Sequence, residues 1–231
     1  MSRTVAFTRE QLRAPFTLSL LIAIPAVFVA ASAGVLSDFA RALGGSLAGD
    51  AASALGAGWS AAFIAGALGF FQAASSRGAD RRLALAGVGA ARVAASRIGA
   101  SLLLAIVASA AGFIALVLRT GVVHPWHAAA AILAFAVIYL AVGVIVGSFI
   151  SAPLEGSLLV VFVFLLDVFS GPGMAEDASP LSISRKAADV LISAATGTGS
   201  PTGDWVKLGV VLVSAVALSF VAFVVSARRR A

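Results

Sequence analysis

The chain contains no cysteine, which excludes disulfides, thiolate metal sites and thiol nucleophiles. Histidine is nearly absent as well. Its two copies, His124 and His127, flank Pro125-Trp126 without carboxylate or thiol companions, a weak metal site at best. Charged residues make up only 11% of the 231 positions. The G-x-x-x-x-G-K-[ST] phosphate loop, the H-E-x-x-H metalloprotease helix and the G-x-S-x-G nucleophile elbow are all missing. The chain is therefore read as no enzyme by itself, with no cofactor of its own and no means of hydrolysing ATP.

What is present is apolar. Hydrophobic residues account for 61% of the sequence and the mean hydropathy is +1.06. Six apolar stretches divide the chain, at 16–36, 59–75, 98–118, 128–149, 157–171 and 205–227. A helix of roughly 20 apolar residues crosses a hydrocarbon core about 30 Å thick, and lipid-exposed backbone must bond to itself. The expected fold is all-α, a single polytopic domain with six transmembrane helices. The second and fifth stretches are short and borrow flanking residues. Gly171-Pro172-Gly173 ends the fifth, because proline lacks the amide donor and glycine is loose.

Six crossings put both termini on one side, and the basic residues choose it. Arg3, Arg9, Arg13, Arg77, Arg81, Arg82, Arg92, Arg97, Arg228, Arg229 and Arg230 share the side of the termini. Only Arg41, Arg119, Arg185, Lys186 and Lys207 fall opposite. That asymmetry in short loops places both termini in the cytoplasm. The net charge of +6 follows from this orientation, so no nucleic-acid partner is inferred. Ala31-Ser32-Ala33 resembles a signal-peptidase site, but the apolar run is too long for a signal core and fifteen residues precede it. It is read as part of the first span.

Three segments between spans have character of their own. Residues 1–15 pair Arg9 and Arg13 one turn apart with Val5, Phe7, Leu12 and Phe16 nearby, as in an interfacial amphipathic helix or a charged topogenic tail. Arg77, Asp80, Arg81, Arg82 and Leu83 lie in a cytoplasmic segment, 76–97, longer than a turn requires. It reads as a docking surface for a soluble partner or as plain positive-inside anchoring. The outer segment, 172–204, places Ile183, Ala187, Val190, Leu191 and Ala194 on one helical stripe from Ser182 to Ala195. A short helix on or dipping into the outer leaflet fits it.

Inside the spans, Asp167 is the one ionisable residue at depth. A charged aspartate there costs about 2.5–3.5 kcal/mol on insertion scales, so it must face protein or water. It reads as a polar point on a translocation pathway, as a carboxyl bonded to a neighbouring helix, or as an outer-interface group four residues before Gly171. Gln72 and Tyr139 are candidates for interhelical bonds, and Gly143 with Gly147 forms a GxxxG that permits close helix approach. Pro25 is expected to bend the first span. Trp59, Trp126 and Trp205 stand at the outer ends of spans, where an aromatic belt belongs.

Taken in order, these features resemble the membrane subunit of an ABC-2-type ATP-binding-cassette transporter, with a type V exporter-like fold. Glu10 to Pro15, followed by Ile24-Pro25, is similar to the family's interfacial helix and proline-bent first span. Arg77-Gly78 through Leu83, then Arg92 and Arg97, resembles its coupling helix, though Gly87 and Gly89 stand where a proline is common. Phe169-Ser170-Gly171-Pro172, the long outer segment and a last span ending in Arg228-Arg229-Arg230 resemble its C-terminal end.

The resemblance implies a permease in the bacterial inner membrane, paired with a second permease subunit and two ATP-binding cassette ATPase subunits that carry ATP and Mg. Arg77, Asp80, Arg81, Arg82 and Leu83 would couple to the ATPase. Spans two and five would line the pathway, with Gln72, Asp167, Phe169 and Met174 on it or at its outer gate. Export of a drug, lipid or peptide is the default activity. An ion-coupled carrier or channel using Asp167, or a membrane scaffold without transport, remains open on sequence alone.

Overall fold

A computed structural model describes residues 15–47, 49–75, 90–150, 152–174, 182–198 and 202–228. Its elements are seven helices: α1 Pro15–Ala42, α2 Gly49–Ser75, α3 Ala90–Thr120, α4 Pro125–Phe149, α5 Pro153–Phe169, α6 Arg185–Thr196 and α7 Thr202–Arg228. The interfacial helix expected over 1–14 and most of the coupling segment, 76–89, lie outside the described residues.

Local sequence explains where the helices start and stop. Pro15, Pro125 and Pro153 each open a helix, where the missing amide costs nothing and the fixed φ suits the first turn. Asp50 and Glu155 sit in first turns, at the positive end of the helix dipole. Gly197, with φ of 77°, closes α6 in the left-handed region, a conformation glycine adopts without a Cβ clash.

The protein is a multi-pass helical membrane protein in its dimensions. Five helices are long and apolar enough to cross a bilayer: α1, α2, α3, α4 and α7. The stretch expected to make a sixth crossing is α5, only 17 residues long, or about 25 Å at 1.5 Å per residue.

α2 is the centre of the bundle, in contact with α1, α3, α4, α5 and α6. It begins at Gly49, ten residues before the expected start at 59, because Gly49 to Gly58 is built of small residues that hydropathy undervalues. Only Gly49, Asp50 and Phe71 are exposed along it. Small residues let the neighbours approach closely. A Cβ on Gly69 would stand 2.5 Å from the Leu140 carbonyl oxygen, and one on Gly147 2.6 Å from that of Phe70. One on Gly143 would collide with the Gly66 carbonyl. The GxxxG of α4 is thus the α2–α4 crossing, with the two helices running in the same direction. Trp59 corrects another expectation. It is wholly buried in the core beside Gly171, whereas Trp126 is 85% exposed as a belt residue should be.

Candidate functional site

Asp167 lies in the last turn of α5 and is buried. Three donors converge on its carboxylate. The Tyr139 hydroxyl of α4 donates to Oδ2 at 2.7 Å, the Ser182 hydroxyl to Oδ1 at 2.8 Å, and the Ser184 backbone amide to Oδ1 at 3.1 Å. Ser184 is the N-cap of α6, so the carboxylate also stands at the positive end of that helix. All three partners donate and a carboxylate only accepts. The group ties α4, α5 and the start of α6 to one point.

The level of that point follows from the register. Tyr139 is fourteen residues into α4 from Pro125, and its side chain leans back toward the helix start. On α2, the ring of Phe164 packs on Phe63 at 5.3 Å between centroids, and Gly171 lies on Trp59. Asp167 is therefore level with about residue 59 of α2, about 15 Å below the start of that helix at 1.5 Å per residue. From there α6 runs back along α4 toward the Trp126 end. Its C-terminal turn is fixed there by the His124 amide, which donates to the Ala194 carbonyl at 2.9 Å, and by Gly197 against Val123. Helix α5 thus enters the bundle from the Arg97 end, and α6 ends at the Trp126 end. The described part of the expected outer helix is this element, with Ala187, Val190, Leu191 and Ala194 buried and Ile183 exposed.

Phe169 and Met174 belong to the turn after α5. Phe169 packs edge-on to Phe39 of α1, 6.0 Å between centroids. Met174 is fully buried. Gly173, with φ of 75°, accepts a hydrogen bond from the Leu47 amide at 2.9 Å, joining this turn to the α1–α2 loop. Asp167, Phe169 and Met174 therefore do gather in one corner, formed by α5, its turn and the α1–α2 loop.

Gln72 does not join them. It sits at the opposite end of the bundle, where its Oε1 accepts a hydrogen bond from Arg97 Nη1 at 3.3 Å. This pair braces the ends of α2 and α3, the two stems of segment 76–89. Arg77, Asp80, Arg81, Arg82 and Leu83 fall in that segment, outside the described residues. Along α2, Phe71 is the large apolar side chain that is exposed. Exposed apolar side chains occur on α1 (Val27, Val35, Phe39) and α5 (Leu158, Phe162, Leu165), and also on α3 (Leu103, Ile106, Ile114) and α7 (Val210, Val213, Leu218).

His124 and His127 stack edge-on at 5.7 Å, and His127 packs on Trp205 at 5.3 Å. No cluster of three or more metal-ligating side chains occurs among the described residues.

Sequence reading singled out Asp167 but not its partners. Tyr139 could be named only as a candidate for an interhelical bond, and nothing marked Ser182 and Ser184 among the seventeen residues that separate Asp167 from α6. Comparison with family models and with curated proteins finds no match for this chain.

Proposed function

We propose that the chain is the permease subunit of an ATP-driven transporter of the ABC-2 type, exporting a lipophilic or amphipathic substrate. The observation that carries this reading is the short fifth passage: α5 has only 17 residues, its turn bonds to the α1–α2 loop through Gly173 and Leu47, and α6 packs beside α4 before the last crossing, α7. A pump with two membrane subunits needs apolar faces left for a partner copy, and α1 and α5 offer them together at the Phe39–Phe169 contact. A separate ATPase also needs a cytoplasmic handle. The basic segment 76–89, held at its stems by Gln72 and Arg97, is that handle. Positive-inside asymmetry puts it and both termini in the cytoplasm of a bacterial cell. Nucleotide can drive the cycle only by binding one conformation of the complex better than the other.

Purification from native membranes in mild detergent tests the reading. A soluble ATPase bearing a phosphate loop should co-purify. Charge reversal at Asp80, Arg81 and Arg82 together should leave ATP hydrolysis running while transport falls by about tenfold or more, as expected when a conformational coupling of about 1.4 kcal/mol is lost. A preparation free of any ATPase, or a triple variant with normal coupled transport, would sink the assignment.

A further inference from the structure

The two histidines of the chain come together at one end of the bundle. His124 and His127 stand three residues apart, which sets them one above the other on a single face of the first turn of α4. Both are exposed, and their ring centres are 5.7 Å apart. His124 occupies the N-cap position, yet its side chain caps no helix amide. Among the described residues, neither imidazole takes part in a hydrogen bond or an ion pair. Their nitrogens are open to a ligand from solvent.

The pair is held from two sides. The His124 amide donates to the Ala194 carbonyl at the end of α6, at 2.9 Å. The His127 ring packs on Trp205 at the start of α7, 5.3 Å between centres. Pro125 opens the helix between them and fixes its own φ. Backbone and rings are thus ordered before a ligand arrives, which lowers the cost of binding one.

Spacing decides what fits. A zinc ion lies about 2.0–2.1 Å from an imidazole nitrogen, which puts it about 3.2 Å from the ring centre. Two rings on one tetrahedral ion then have centres about 5.2 Å apart. The observed 5.7 Å corresponds to opening the nitrogen–metal–nitrogen angle to about 125°, a small distortion for an ion with no geometric preference from its d-electrons.

We propose that His124 and His127 form a two-imidazole chelate for a divalent transition ion of the zinc and copper class, with water in the remaining positions. Imidazole selects such ions, whereas Mg²⁺ and Ca²⁺ take oxygen ligands. The chain has no thiolate to compete for the ion. Coordination locks the turn on which the end of α6 and the start of α7 are seated, so the bound ion stiffens the junction of α4, α6 and α7. This site belongs to the chain by itself and does not rest on the permease reading.

The test uses the full chain in detergent, purified through a tag without histidine. Indole emission is followed as Cu²⁺ is added, because bound Cu²⁺ quenches Trp205, which packs on His127, while Trp59 is wholly buried and serves as background. Quenching should saturate in the parent. His124→Gln and His127→Gln should each weaken the apparent affinity by about 100-fold or more, since the second imidazole acts at a high effective concentration. Both positions are exposed, so the variants should elute as the parent does. The parent alone gives a second reading that needs no variant. Diethyl pyrocarbonate modifies imidazole nitrogens, and Cu²⁺ at about ten times its apparent Kd should slow modification of both histidines about tenfold. Quenching that never saturates, or that is equal in the parent and both variants, overturns the site. So does modification at the same rate with and without Cu²⁺.

Discussion

Alanine at Gly143 is expected to cost the bundle about 3 kcal/mol or more, the upper end of overpacking penalties. The added Cβ would fall on the Gly66 carbonyl oxygen and stand 2.8 Å from the Phe70 amide nitrogen. Both are main-chain atoms of the central helix, so no rotamer change relieves the contact. Relief requires α2 and α4 to part, which also opens the Gly147–Phe70 and Gly69–Leu140 approaches along the same seam. The control is Gly209→Ala in α7, where a Cβ meets nothing within 4 Å. There alanine should be neutral or stabilising by about 0.5–1 kcal/mol, the usual helix preference over glycine. Heating in detergent followed by size-exclusion chromatography separates the cases. Gly143→Ala should lose its monodisperse peak well below the parent, and Gly209→Ala should not. Equal behaviour of the two would mean that this crossing is not the tight seam of the fold.

That seam shows how legible the fold was. Long apolar runs announce helices by hydropathy alone, and five of them emerge as helices able to cross a bilayer. What hydropathy cannot distinguish is a helix facing lipid from one facing other helices. Gly49 to Gly58 falls outside the expected second span, yet it belongs to α2 and residues 52–58 of it are buried. The same error moved Trp59 from the core to an expected interfacial belt, since its distance from the true start of α2 was misjudged. The small-residue content of 49–69 was the readable clue, because close helix approach needs residues without bulk. The fifth stretch is less readable for a different reason: it emerges as a helix of only 17 residues. Gly171-Pro172-Gly173 did mark the end of α5, but whether the chain surfaces or turns back there depends on tertiary partners.

The candidate site was legible in one residue and illegible in its geometry. Asp167 stood out because an ionisable group deep in an apolar run needs a compensating environment. Which environment it has is a matter of register between α4, α5 and α6, and no local pattern encodes that register. Gln72, a candidate for an interhelical bond and, through the resemblance, for the pathway, does bond between helices, but at the other end of the bundle, where it accepts from Arg97.

Asp167→Ala should release α6 and destabilise the protein more than any other polar truncation in the bundle. It strands three donors at once: the Tyr139 hydroxyl, the Ser182 hydroxyl and the Ser184 amide. Each unsatisfied buried donor costs about 1–3 kcal/mol, so the loss should reach several kcal/mol. Tyr139→Phe removes one donor and leaves the carboxylate with two, so it should cost only about 1–2 kcal/mol, in the range for a hydrogen bond to a charged group. Once Asp167 is gone, Tyr139→Phe should cost little, because the hydroxyl it removes is already unpaired. The double-mutant cycle should therefore show a coupling of about 1–3 kcal/mol. A cysteine at Ala188, fully buried on the packed side of α6, supplies the structural readout. It should label at least about tenfold faster in the Asp167→Ala background, as exposure to water governs thiol reactivity. Asp167→Asn separates anchoring from contact with cargo. Its amide oxygen still accepts, so α6 should remain docked and Ala188→Cys should stay protected. If Asp167→Asn instead alters transport selectivity while labelling and melting are unchanged, the carboxylate touches the cargo as well as α6. If Asp167→Ala neither melts earlier nor exposes Ala188→Cys, the three hydrogen bonds do not hold the helix, and the anchor is the apolar face of α6 alone.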